Sequence, residues 1–186
     1  MPGVESMQAE ESLLRGRARR AYEWGRLRRA LGGSIPTLLV GGMVAALVRE
    51  WSWPLVLGSI LYLASVALLW FGRSPGRSVL PGVVYGLLPL TGGVIARLHG
   101  HVCMGMSCYS TCMFYCVGGG VLAGLLVGRL AFKSDSPTAV FMSAAATALL
   151  TGAIGSSCVG LHGIVGMALG IGLGAVPHSL RLLGRR

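Results

Sequence analysis

Apolar residues along this chain come in long, nearly unbroken runs, with neither the alternation of a half-buried strand nor the half-polar stripe of a soluble helix. A polar stretch, Met1 to Ala30, comes first. Six apolar segments follow, at Leu31 to Val48, Trp51 to Phe71, Val79 to Ala96, Val102 to Val127, Thr138 to Ser156 and Val159 to Val176. Each is close to the ~20 residues that a helix needs to cross ~30 Å of hydrocarbon. Backbone groups in lipid must be satisfied within the segment, and the period-2 pattern of a barrel is absent, so the segments predict helices. The expected fold is all-α: an integral membrane six-helix bundle (residues 31–180) between a basic arm (1–30) and a basic tail (181–186). Trp51, Trp53, Tyr62, Trp70 and Phe71 fall toward the ends of the second segment, as an aromatic belt does. Gly118, Gly119, Gly120, Gly124 and Gly128, with Gly166, Gly170 and Gly174 at a spacing of four, predict surfaces for close helix packing, and Pro89 predicts a kink in the third segment.

Composition strengthens the membrane reading. The chain is 53% hydrophobic and 12% charged, with 30 glycines and a mean hydropathy of +0.69. At 186 residues it has room for one bundle and hardly for a second domain. The first apolar run begins late and leads straight into another, unlike a secretory signal peptide.

Charge sets the expected orientation. Arg15, Arg17, Arg19, Arg20, Arg26, Arg28 and Arg29 precede the first segment, Arg73 and Arg77 follow the second, Arg129 and Lys133 the fourth, and Arg181, Arg185 and Arg186 the sixth. With six crossings all fourteen lie on one side, and only Arg49 and Arg97 lie on the other. The positive-inside bias then predicts both termini in the cytoplasm and a multi-pass protein of the cell inner membrane. A net charge of +10 would suggest nucleic acid in a soluble chain. Here the basic residues flank apolar runs, so the expected partner is the lipid bilayer with its anionic headgroups, and direct nucleic-acid binding is not expected.

In the arm, Glu10 and Glu11 precede the arginines, an order that suits a helix macrodipole. Leu13, Leu14, Tyr22, Trp24 and Leu27 are loosely spaced for a single apolar face, which leaves open an interfacial helix or a simple basic flank.

Sulfur and imidazole are confined to two places. In RLHGHVCMGMSCYSTCMFYC, His99, His101 and Cys103 precede Cys108, Cys112 and Cys116, which repeat at a spacing of four. The second place is SSCVGLHG, with Cys158 and His162 four residues apart. Thiolate, thioether and imidazole suit a soft or borderline transition-metal ion. No C-x2-C pair occurs, and a cysteine also serves as a small packing residue, the reading preferred for Cys112 and Cys116. The orientation puts Cys103 and Cys158 together on the outer face, where a disulfide or a shared metal could join them. The six acidic residues avoid the segments except for Glu50 at an edge. No serine or cysteine has an obvious base with a third orienting group, apart from cysteines near histidines that metal binding explains equally well, so an enzyme is not expected.

From HGHVC through GRLAFKSDSPTA and TALLTGAIGSSC to HGIVGMALGIGLGAVPHSLRLLG, the second half of the chain resembles the NrsF-like family of negative regulators of sigma factors. The resemblance implies six inner-membrane spans, a membrane anti-sigma factor that holds an extracytoplasmic-function sigma factor at the cytoplasmic face, and outward cysteines that sense metal or oxidant. The matching cysteines here are Cys103 and Cys158; Cys108, Cys112 and Cys116 are additional. The alternative is a small transport or handling protein for soft metals, with Cys108, Cys112 and Cys116 as a ligand ladder continued by Met142 or Met167.

Overall fold

The computed structural model describes the backbone of residues 2–48, 52–98, 106–155 and 160–183, and the side chains of these except 2–13, 48, 73–75, 93, 96–98, 106–111, 179 and 181–183. It is helical throughout: α1 (Pro2–Gly33), α2 (Ile35–Val48), α3 (Ser52–Phe71), α4 (Arg73–Leu98), α5 (Met106–Phe132), α6 (Pro137–Gly155) and α7 (Leu161–Leu183). Helices α2 to α7 form the expected six-helix bundle, and α1 extends from one end of it. Among the described residues, five stretches are long and apolar enough to cross a membrane: 14–47, 52–71, 112–132, 137–155 and 161–178. Leu39, Leu63, Leu169 and Leu173 are each more than 60% exposed on the outside. A surface of that kind is solvated by lipid, so the chain is a multi-pass membrane protein.

Helix ends follow local chemistry more than hydropathy. Pro137 opens α6, where its missing N–H costs nothing, and the Val140 N–H donates to the Ser136 carbonyl at 3.1 Å. Gly160 precedes α7 at φ 57°, a left-handed conformation that glycine adopts without a Cβ penalty. Helix α4 starts at Arg73, six residues before its apolar run, and α5 and α7 continue past theirs through Arg129 to Phe132 and through Pro177 to Leu183. Helix α1 does not end where the first apolar segment begins. Helix α1 carries on to Gly33 and is separated from α2 by Ser34 alone. Pro36 can donate no backbone hydrogen bond there. The Ser34 hydroxyl donates to the Ala30 and Leu31 carbonyls, each at 3.0 Å, and the Thr37 hydroxyl to the Ser34 carbonyl at 2.6 Å.

Contacts between small residues fix the arrangement. Gly33, the last residue of α1, lies on Leu69, and Gly41 of α2 on Gly58, so the chain running from α1 into α2 is antiparallel to α3. Gly92 lies on Tyr115 and Gly119 on Pro89, so α4 and α5 are too. Helices α4 and α6 run parallel: Gly82 rests on Ala144, Gly86 on Ala148 and Leu90 on Gly155. Helices α5 and α7 are also parallel, with Met113 on Gly166, Val117 on Gly170, Val121 on Gly174 and His178 on Gly128. The α4–α5 hairpin therefore lies flat against the α6–α7 hairpin.

These interfaces are backbone to backbone. A Cβ placed at Gly120 would stand 2.6 Å from the Met167 carbonyl oxygen, and one at Gly170 2.5 Å from that of Val117. Pro89 sits within α4 and wedges between Gly119 of α5 and Gly152 of α6. In lipid, where no hydrophobic force separates helix from tail, such close approach and interhelical hydrogen bonds are what hold helices together. The Ser78 and Ser143 hydroxyls share one across α4 and α6. Below them Thr147 and Thr151, fully buried, bond back to the carbonyls of Ser143 and Thr147 at 2.9 and 2.7 Å.

Candidate functional site

The sulfur and imidazole groups divide by depth. His99, His101, Cys103 and Cys158 lie outside the described residues. Cys108 lies in the first turn of α5, with its side chain outside them too. His162 is exposed near the start of α7. Cys112 and Cys116 are thiols, 4% and 7% exposed, that face the bundle interior. They head a buried stripe that continues down α5 through Gly120, Ala123, Val127 and Ala131. That stripe is what the spacing of four in the sequence records: a line of small side chains against neighbouring helices.

The two methionines that would carry a ligand ladder onward part company. Met167 is buried in the core, its sulfur against Gly152. Met142 is 68% exposed on the outer surface. Among the described residues no group of three or more histidine, cysteine or acidic side chains is placed to hold a metal ion.

The basic arm is a helix. From Leu14 to Gly25 every residue is exposed, including Leu14, Tyr22 and Trp24. Arg15, Arg17, Arg19 and Arg20 are among them, as are Arg28 and Arg29 further on. Arg19 Nε donates to Glu23 at 3.0 Å, a solvated pair one turn apart that contributes only a few tenths of a kcal/mol, about the usual helix-surface value. Arg26 differs from its neighbours. Its guanidinium donates to the Trp70 carbonyl at the end of α3 and lies 5.8 Å from the centre of the Trp70 ring. The carbonyl belongs to the last turn of α3, which has no intrahelical donor left for it, so one arginine caps one helix and anchors another. The charge run marked the arm in the sequence; nothing in it set Arg26 apart from six similar residues.

At the same end, two recesses flank the start of α6. One, of about 290 Å³, is polar and is bounded by Arg77, Lys133, Ser134, Asp135 and Ser136 over a floor that includes Ser78. The other, of about 400 Å³, is a mainly apolar groove between α5, α6 and α7, walled by Gly128, Phe141, Met142, Gly172 and His178. His178 Nδ1 is buried there without a hydrogen-bond partner among the described residues.

No family model, curated protein or solved structure matches the chain.

Proposed function

We propose that this chain is a membrane-embedded negative regulator, an anti-sigma factor of the inner membrane that holds its partner at the cytoplasmic face through α1. The observation that carries the reading is the continuity of α1 with the first span. The stretch 14–47 is 34 residues long, about 51 Å of helix against ~30 Å of hydrocarbon. Roughly two fifths of it therefore stands clear of the apolar core. That part carries exposed aromatic and arginine side chains, the residue types most used at protein interfaces. Its base is tied to α3 by Arg26, so a shift in the bundle reaches the arm as a displacement of a rigid element.

The trigger is the pair of outer turns. Hairpins α4–α5 and α6–α7 pack side by side, which favours communication between Cys103 and Cys158 through a disulfide or a soft metal ion. A ligand drives such a switch only by its differential affinity, and near-complete conversion takes ~5.5 kcal/mol. Against the transport alternative stand the exposed position of Met142 and the closely packed Gly and Ala stripe below Cys116.

Full-length protein in membranes is expected to retain an extracytoplasmic-function sigma factor, and a variant lacking residues 1–25 is expected to lose it. In a sigma-dependent reporter strain, Cys103→Ser with Cys158→Ser should abolish the response to cadmium or peroxide. Retention by the truncated chain rejects the arm as the holding element. An unchanged response rejects the cysteines as the trigger. Metal uptake into proteoliposomes that is lost with Cys112→Ser and Cys116→Ser would instead establish transport.

A further inference from the structure

The geometry points to a binding site for an anionic phospholipid at the basic end of α5, α6 and α7, with the phosphodiester in the polar recess and an acyl chain in the neighbouring groove. The two cavities are neighbours along the chain. Leu130 and Ser136 line the polar recess, and their immediate neighbours Ala131 and Pro137 line the groove. The cavities thus lie on either side of the same short link between α5 and α6. That link joins two membrane-crossing stretches and so sits at the depth of lipid headgroups.

Charge selects the headgroup. Arg77, from the first turns of α4, and Lys133, from the α5–α6 link, bound the recess from different elements, and Ser134 and Ser136 add hydroxyl donors. Asp135 is on the same rim, so the side chains sum to a single positive charge. The opening turn of α6 adds the partial positive charge of a helix N-terminus. A singly charged phosphodiester matches that balance better than a doubly charged phosphomonoester. A zwitterionic phosphocholine brings a cation that the two basic groups repel. Basic pockets between transmembrane helices are the general means by which membrane proteins hold acidic headgroups.

The groove selects the rest of the molecule. At about 400 Å³ it falls within the roughly 300–1,000 Å³ of small-molecule sites. It is open toward the lipid: Met142 and Gly172 are both exposed. No atom lies within 4 Å of where a Gly172 Cβ would be, so α7 leaves open a space that a larger side chain would fill. A free phosphate ion shares the headgroup chemistry but has no use for the groove, and this separates the two sources.

The test uses the full-length protein in detergent, with dioleoylphosphatidylglycerol, dioleoylphosphatidylcholine and inorganic phosphate as probes. Native mass spectrometry and thermal unfolding provide the readouts. Phosphatidylglycerol should be retained over phosphatidylcholine by about tenfold or more, the scale expected of two basic groups near a headgroup, and should raise the melting temperature. Arg77→Gln with Lys133→Gln should remove that preference. Gly172→Phe should lower phosphatidylglycerol retention with both cations in place, and Arg129→Gln, a loss of charge outside the recess, should leave it unchanged. Equal retention of the two lipids, equal losses for Arg129→Gln and the double variant, or full retention by Gly172→Phe would each overturn the site. Protection by inorganic phosphate as strong as by phosphatidylglycerol would assign the recess to a soluble anion and overturn the lipid.

Discussion

At the scale of single residues, this bundle is held by the absence of side chains. Gly170 faces α5 so closely that a Cβ would stand 2.5 Å from the Val117 carbonyl oxygen and 3.0 Å from the Val121 nitrogen. Both are backbone atoms of a packed helix, so neither can rotate away, and α5 and α7 must separate. Gly170→Ala is therefore expected to destabilise the protein by about 1–3 kcal/mol, the usual cost of overpacking. Two residues along the same helix, a Cβ at Gly172 meets nothing within 4 Å, and Gly172→Ala should be neutral or gain up to about 1 kcal/mol from helix propensity. Thermal unfolding of both variants in one detergent measures the contrast. Equal behaviour would mean that the α5–α7 contact does not hold the bundle together. The spacing of Gly166, Gly170 and Gly174 showed in the sequence that a packing surface exists. It did not show which helix lies against it, because glycine carries no side chain whose size or polarity specifies a partner.

At the scale of elements, the join between α1 and the bundle depends on Arg26. Its guanidinium satisfies the Trp70 carbonyl and lies by the indole ring, contacts that a planar, delocalised cation makes together and a lysine ammonium does not. Arg26→Ala should free the base of the arm at a local cost of about 1–2 kcal/mol, combining a charged hydrogen bond with a partly exposed cation–π contact. Faster hydrogen exchange over residues 14–33, with α5–α7 unchanged, is the expected signature, and Arg26→Lys should restore protection only in part. Identical exchange in wild type and variant would show that the arm is set by its continuity with α2 alone. Elements were the most legible level of this chain. The second and fifth apolar segments match α3 and α6 to within a residue at each end, because uninterrupted apolar runs bounded by loop residues leave little freedom. The first, third, fourth and sixth end elsewhere. Helices continue through polar residues wherever backbone hydrogen bonding does, as α4 does from Arg73 and α1 does through seven arginines, and hydropathy records the lipid boundary instead of the helix end. The candidate site was legible in part: spacing marked the small-residue stripe of Cys112 and Cys116, but the polar recess is lined by Arg77 and Lys133, 56 positions apart, a juxtaposition that no local pattern encodes.

At the scale of the whole molecule, sidedness governs function. Gly128 meets His178 near the ends of α5 and α7, Ser78 meets Ser143 near the starts of α4 and α6, and Arg26 meets Trp70 at the end of α3. These contacts gather the arm, both recesses and Arg77, Arg129 and Lys133 at one end of the bundle. Helix α1 and the last turns of α7 both reach this end, as an even number of crossings requires. Translocating a basic segment is disfavoured, and fourteen of the sixteen basic residues lie on this side in the sequence. Alkaline phosphatase fused after Arg186 should therefore be inactive and a fluorescent protein at the same position bright. Alkaline phosphatase inserted in the turn after Leu98 should be active. The opposite pattern would place Cys103 and Cys158 in the reducing cytoplasm, where a stable disulfide is rare, and with six crossings would put the arm outside, out of reach of any transcription factor. A mixed pattern, with the Arg186 fusion active beside an active Leu98 insertion, would mean that one of α5, α6 and α7 does not cross. If instead α4 did not cross, the one bundle helix not among the five stretches that are long and apolar enough to do so, a cytoplasmic start would leave the Leu98 insertion inactive and the Arg186 fusion active. Gly82, Gly86, Pro89 and Gly92 of α4 turn inward onto α5 and α6, however, and a helix enclosed in this way needs less apolar surface than one facing lipid on most sides. Six crossings and two cytoplasmic termini are accordingly the expected result.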